Sequence, residues 1–322
     1  MSNTQHILVT GGAGFIGSHL VERLLVDGAS VTVIDDCSTG TLDNLRSVLS
    51  HPQLKIIPSK VSDCDDLAGI VSTAGSIFHL AAAVGVELVV NSPIRTIQTN
   101  LDETEIILEA AGRHRVPILL TSTSEVYGKS RRQVFSEEDD LLIGPPHLGR
   151  WSYACSKLMD EFLAMAYARE RGLPVTIARL FNTVGPRQTG RYGMVLPRFI
   201  EAARTGQPLR VYGDGRQTRC FCYVSDTVEA LVRLQRHPPP QGEVFNVGST
   251  EEITIRQLAH LVIQTLNSSS IVEYVPYEKA YTPGFEDMRR RRPVLDKLER
   301  HSGYRPSTPL KRIIELTAGA AK

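Results

Sequence analysis

"VTGGAGFIGSHL", residues 9–20, closes one apolar run and opens an amphipathic one. It sets Gly11, Gly14 and Gly17 in a G-x-x-G-x-x-G array between "HILVT" (6–10) and "FIGSHLVERLLVDG" (15–28). The second of these is a helical pattern that ends on Gly28, as a helix C-cap should. A loop in that context turns tightly and lets a pyrophosphate approach backbone N–H groups at the positive end of a helix. Tight turns alone also recruit glycine, so a second signal has to agree. "SVTVID" (30–35) supplies it, because Asp35 lies eighteen residues past Gly17. A carboxylate there can accept from a ribose 2′-OH and would repel a 2′-phosphate. The two signals together predict a dinucleotide site, for NAD rather than NADP.

Outward from this loop, "LKIIPS" (54–59), "SIFHLAA" (76–82), "VPILLTS" (116–122) and "PVTIARL" (174–180) continue the series of short apolar runs separated by amphipathic stretches. Near-continuous apolar strands alternating with helices predict a parallel sheet covered on both faces, a Rossmann-like doubly wound α/β fold. After residue 180 glycine, proline and arginine become frequent and the strands shorten. The expected division is a dinucleotide-binding domain over 1–180 and a smaller substrate lobe over 181–322. "RCFCYV" (219–224) and "EVFNVGS" (243–249) are candidates to rejoin the first domain.

The chain has 322 residues, 42% hydrophobic and 22% charged, with a net charge of +1. That balance points to no nucleic-acid or anionic-membrane partner. Five scattered cysteines form no disulfide framework, which fits a reducing cytoplasm. No apolar run reaches the roughly 18–20 residues of a membrane span, and the start lacks a signal-peptide layout. "CFC" (220–222) puts two thiols on one face of a strand without a second ligand pair, so no metal site is expected.

"RWSYACSKLMDEFLAMAYARERG" (150–172) is a helix pattern carrying Tyr153 and Lys157 four residues apart, hence on one face. A tyrosine with an ordinary pKa of ~10 is a poor base. Bringing it to neutrality requires about 4 kcal/mol of differential stabilisation, which a nearby ammonium can help supply. An aromatic and a lysine on a solvated face is the ordinary alternative.

"TGGAGFIG", "HLAA", "TSTSEVYG", "YACSK", "RLFNTVGPR" and "VYGDGRQTRCFCYVSD", in that order, resemble the extended short-chain dehydrogenase/reductase superfamily in its nucleotide-sugar epimerase, dehydratase and decarboxylase branch. The resemblance runs over nearly the whole chain. It implies NAD held by Gly11, Gly14, Phe15, Ile16, Gly17, Asp35, Asp36, Val61, Leu80, Ala81 and Ala82, together with Tyr153 and Lys157. It implies a UDP-sugar substrate and a catalytic set of Thr123, Tyr153 and Lys157. Asn182, Arg191 and Arg219 become candidates for the phosphates and sugar, and Tyr212 for the base. One departure stands out: where the superfamily often has Gly-Asp facing the adenine, this chain has Ser59-Lys60.

Glu125 separates the chemistries of that branch. By the resemblance, 4-epimerases usually have a small residue there and 4,6-dehydratases an Asp-Glu pair. Decarboxylases of nucleotide-linked glucuronic acid have the Ser-Glu form found at Ser124-Glu125. Such an enzyme also needs an arginine for the carboxylate, and "RRRRP" (289–293) offers Arg291, whose planar fork can bind a carboxylate in two places. An N-cap role for Glu125 and a solvated patch for 289–292 are the ordinary alternatives. The reading is decarboxylation of UDP-glucuronate to UDP-xylose, with a 4-epimerase of a UDP-hexose or UDP-uronate as the alternative. The helix at 152–171 carries apolar residues on more than one side, so a homodimer through a helix bundle is expected. The insertion "KSRRQVFSEEDDLLIGPPHLGR" (129–150) carries no chemical signal of its own.

Overall fold

Six apolar runs of the first 180 residues become strands: β1 (His6–Thr10), β2 (Ser30–Ile34), β3 (Leu54–Ile57), β4 (Ser76–His79), β5 (Ile118–Thr123) and β6 (Val175–Leu180). Between them lie α1 (Phe15–Val26), α2 (Leu67–Thr73), α3 (Pro93–His114) and α4 (Trp151–Arg171). The structure, a computed structural model, describes residues 5–83, 92–189, 194–276 and 288–319.

The chain continues through β7 (Thr183–Val184), α5 (Val195–Arg204), β8 (Leu209–Tyr212), β9 (Thr218–Cys220), β10 (Cys222–Tyr223) and α6 (Val224–Arg236). It then forms β11 (Glu243–Val247), β12 (Glu252–Thr254), α7 (Ile255–Thr265), β13 (Val272–Val275), α8 (Asp296–Ser302) and α9 (Leu310–Gly319). The central sheet has the order β11-β6-β5-β4-β1-β2-β3, and every neighbouring pair is parallel. The order reverses between β1 and β4, so the loops leaving those strands diverge and open a crevice at their carboxyl ends.

Both faces of the sheet are covered, which is why its strands read as continuous apolar runs rather than alternating ones. One core gathers Leu20 and Leu24 of α1, Leu231 of α6 and Leu298 of α8 with Val31 and Val33 of β2 and Phe245 of β11. The opposite core packs Ile70 of α2, Ile107 and Leu108 of α3 and Ala164 and Ala168 of α4 against Ile118 and Ile177. A third core joins Phe199 and Ile200 of α5, Leu258 and Val262 of α7 and Ile313 and Ile314 of α9.

Of the two segments expected to return to the sheet, only one does. β11 pairs with β6 as the outer strand. The 219–224 segment breaks at Phe221 into β9, paired with β12, and β10, paired with β7. Cys220 and Cys222 therefore belong to different small sheets, not to one face of a continuous strand. Each thiol is buried and pushed up to about 12, chiefly by that burial.

Candidate functional site

A cavity of 1290 Å³ opens at the carboxyl ends of the strands, beside the β1/β4 reversal. Its walls include the dinucleotide candidates from Gly11 to Ala82 and, farther along, Thr123, Glu125, Tyr153, Lys157 and Arg291. Asn182, Tyr212 and Arg219 line it as well. Arg191 lies outside the described residues.

The glycine loop leaves no space for side chains. Gly11 has φ +72°, and a Cβ on it would come within 2.6 Å of the Ala81 backbone nitrogen. A Cβ on Gly17 would sit 2.0 Å from the Gly11 carbonyl oxygen. Helix α1 starts at the N-cap Gly14 with no side-chain cap, so its first-turn N–H groups are open to an anion. Asp35 sits at the end of β2, where its carboxylate accepts from the N–H groups of Ala13 and Cys37, both at 2.8 Å. Burial raises its pKa, and those amide hydrogen bonds oppose the rise. These features fit a dinucleotide: an uncapped helix end for the pyrophosphate, and an acid already fixed beside it. Beyond β3, Lys60 lines the cavity where an acid was the common expectation. A carboxylate reaches that turn from α3, where Glu103 accepts from Val61 N–H at 2.7 Å.

At the other end, α4 delivers Tyr153 and Lys157 one turn apart. Lys157 Nζ is 2.9 Å from Asp160 Oδ2, in an ion pair closed to solvent. The Tyr153 hydroxyl is pushed far above its ordinary value by burial first, then by the negative charges of Glu125 and Asp160. A hydrogen bond with Thr123 opposes them. The Lys157 ammonium is engaged by Asp160, three residues further along the same helix. β5 ends at Thr123, whose hydroxyl accepts from the Glu125 N–H at 3.2 Å and starts the single 3-10 turn Ser124–Tyr127. That turn aims Glu125 into the cavity, where Arg291 Nη1 lies 3.2 Å from its Oε1.

Two substrate candidates direct donors at the protein itself. Asn182 Nδ2 donates to the Cys220 carbonyl at 2.9 Å, and Arg219 Nη1 donates to the carbonyls of Thr218 and Met288, each at 2.8 Å. Tyr212 presents its ring 5.3 Å from the guanidinium of Arg198, which also donates to its hydroxyl.

Several residues escaped the reading of the sequence. Asp160 was signalled only by its i,i+3 spacing from Lys157. Asn100 of α3 donates to Ser156 at 3.1 Å and accepts from Ala83 N–H at 2.7 Å, tying the cavity floor to the tyrosine helix. His79, fully buried at the end of β4, bonds Thr10 Oγ1 at 2.7 Å; burial, with Lys157 in support, brings its pKa down to about 3. None of these carries a motif, since each depends on partners distant in sequence. Among the described residues there is no metal-ligand cluster and no helix long and apolar enough to cross a membrane.

The sequence model of the NAD dependent epimerase/dehydratase family matches residues 7–248. A UDP-N-acetyl-alpha-D-glucosaminuronate decarboxylase of Bacillus cytotoxicus is 44% identical over 93% of this chain and 92% of its own. UDP-glucuronic acid decarboxylase 1 of Arabidopsis thaliana is 37% identical over 95% of this chain and 67% of its own. Among solved structures, a UDP-N-acetylglucosamine 4-epimerase of Methanobrevibacter ruminantium superposes with a TM-score of 0.89 at 30% identity, covering 98% of each chain.

Proposed function

The chain belongs to the NAD dependent epimerase/dehydratase family, and from that premise we propose that it decarboxylates a UDP-linked uronic acid, with UDP-glucuronate to UDP-xylose as the reaction to test first. The observation that carries the reading is the Glu125–Arg291 pair, 3.2 Å apart in the cavity that Tyr153 also lines.

NAD, which the glycine loop and Asp35 would hold, would supply the redox chemistry of a reversible oxidation at the sugar C4. Tyr153 takes the proton of the C4 hydroxyl, and Thr123 holds the same oxygen. Because the phenol stands protonated at neutral pH, its base form needs positive charge nearby; Lys157, once turned from Asp160, is a source the chain itself carries. A uronate oxidised at C4 is a β-keto acid. Its C5–C6 bond breaks, CO2 leaves, and the bonding pair passes to C5 and the C4 oxygen. Arg291 orients the carboxylate before the bond breaks and Glu125 fixes Arg291 or returns the proton to C5.

The chain divides into an NAD lobe over 1–180, rejoined by 243–247, and a substrate lobe formed by the rest of 181–322. The uracil and diphosphate are assigned to the side of the cavity that Tyr212, Arg198, Asn182 and Arg219 line, with Arg191 a further candidate. We infer a cytoplasmic homodimer, supported by exposed Ile94 on α3 and Met159 and Phe162 on α4, and by five unpaired thiols. Light scattering of the purified chain at the monomer mass would remove the dimer.

The decisive experiment is mass spectrometry and NMR of the product from UDP-glucuronate. Loss of CO2 to a UDP-pentose is the expected result. Unchanged mass with inverted C4 would make the chain a 4-epimerase and remove the decarboxylase reading. A second substrate belongs in the same assay, because the 44% identical relative is named for the 2-acetamido uronate. Faster CO2 release from UDP-N-acetylglucosaminuronate would assign that substrate instead.

A further inference from the structure

Glu125 and Arg291 meet across 166 residues, yet neither sits on a rigid element of the central sheet. Glu125 lies in a single 3-10 turn, and Arg291 lies in an irregular segment preceding α8. Something else must hold the two segments at one separation, and both converge on the buried side chain of Asn246 in β11.

The contacts of Asn246 are complete. Its Oδ1 accepts from the Tyr127 hydroxyl at 2.7 Å, two residues after Glu125. Its Nδ2 donates to the Phe135 carbonyl at 2.9 Å and to the Val294 carbonyl at 3.3 Å, three residues after Arg291. Its own N–H donates to Glu137 Oε1 at 2.8 Å. Asn246 is fully buried, so these contacts are closed to bulk solvent. Only a primary amide satisfies the arrangement: two carbonyls demand two donors, and a phenol hydroxyl demands an acceptor.

Phe135, in the 129–150 insertion, supplies the remaining link. Its N–H donates to the Arg292 carbonyl at 2.8 Å, and its carbonyl accepts from the Val294 N–H at 2.8 Å. The insertion thus clips the arginine segment on both sides of Pro293, which is two residues beyond Arg291. The Phe135 ring stacks on Tyr127 with centroids 4.7 Å apart, closing a loop of contacts back to the Glu125 turn. Gly248, two residues past Asn246, completes the fit, since a Cβ there would meet Phe181 at 2.6 Å and Pro293 at 3.3 Å.

We propose that Asn246 is a positioning residue for the decarboxylation step, and that the 129–150 insertion is the strap through which it sets Arg291 against Glu125. This rests on the decarboxylase reading of the site. Thr123, Tyr153 and Lys157 are delivered by β5 and α4, whose first turn packs Trp151 and Ala154 into one core with Phe135 and Tyr127. Arg291, by contrast, lies outside any helix or strand, and its segment is held by the strap's hydrogen bonds at Arg292 and Val294. Loosening it therefore slows loss of CO2 while oxidation of C4 continues, so enzyme accumulates with its nicotinamide reduced.

The test compares wild type with Tyr127→Phe and Asn246→Asp, each checked by thermal melting. Three quantities are followed with UDP-glucuronate and UDP-N-acetylglucosaminuronate: CO2 release, KM, and the steady-state fraction of reduced nicotinamide by its absorbance. Tyr127→Phe removes one hydroxyl and keeps the ring; CO2 release should fall roughly 3- to 10-fold with KM little changed and the reduced fraction raised. Asn246→Asp sets a carboxylate against two carbonyls and should fall further in the same pattern; if it does not fold, Tyr127→Phe decides. Parallel loss of oxidation and decarboxylation, or no change in the partition between them, overturns the strap and leaves the decarboxylase reading intact. No CO2 from wild type with either substrate removes that reading, and the proposal with it.

Discussion

At the end of the cavity that holds the dinucleotide candidates, the residues from Gly11 to Ala82 come from the loops after β1, β2, β3 and β4, joined by Glu103 of α3. At the sugar end, Glu125, Tyr153 and Arg291 arrive from three segments and meet through side chains, with 166 residues between the acid and the arginine. The first arrangement suits a ligand whose pyrophosphate any uncapped helix end can hold. The second suits a step that must be tuned, because three separately movable groups can be exchanged without disturbing the loop that holds the cofactor. On the proposed function, one end would serve the chemistry common to the family and the other would select the fate of the oxidised sugar.

That contrast can be broken most sharply at Tyr153. Tyr153→Phe should lower turnover by about 10³-fold or more while leaving NAD bound, since the hydroxyl that moves the proton is gone but the glycine loop is untouched. Turnover within tenfold of wild type, read as product per minute, would remove the mechanism. Glu125→Ser is the next largest. CO2 release should drop by roughly 100-fold with cofactor affinity unchanged, whereas an epimerase would keep most of its activity. Asp35→Ala tests the dinucleotide end. NAD affinity should weaken by about tenfold, measured by titration calorimetry, because the acid holds the N–H groups of Ala13 and Cys37 as well as lining the cavity. An unchanged affinity would strip Asp35 of its cofactor role.

The smallest effect belongs to His79 and is read as pH dependence. Its pKa is about 3 in the folded chain against 6.5 when exposed, so the unfolded state binds the extra proton between those values. The neutral ring's contribution to stability is present above pH 6.5 and is lost as pH falls toward about 3. Replacing it in His79→Asn should flatten the melting temperature over that acid range relative to wild type; equal slopes would mean the ring is not buried neutral.

The same contrast decides what could be read from sequence. The glycine loop, Asp35 and the Tyr153–Lys157 pair are local patterns, and their strands and helices form within a few residues of where periodicity places them. Asp160, Asn246 and the strap at Phe135 have no local signature, because each acquires meaning from a partner in another segment. "RCFCYV" misled for a related reason. Its alternation is that of a strand, but the break at Phe221 is imposed by two different neighbours, β12 and β7. Lys157 falls on the expected helix face, yet the carboxylate that holds it, three residues on, competes with the tyrosine for its charge.

The last strand to join the main sheet, β11, carries a consequence for how the chain is made. Until residue 247 emerges from the ribosome, β6 is the outer strand and offers unpaired N–H and C=O groups to any other strand that approaches. The roughly 60 residues between the two take about 3–12 s to synthesise at ordinary translation rates. Over that interval the nascent protein has a finished glycine loop and an open edge. Chains truncated near residue 180 would keep that edge permanently, and aggregation rather than an isolated NAD-binding unit is the expected yield.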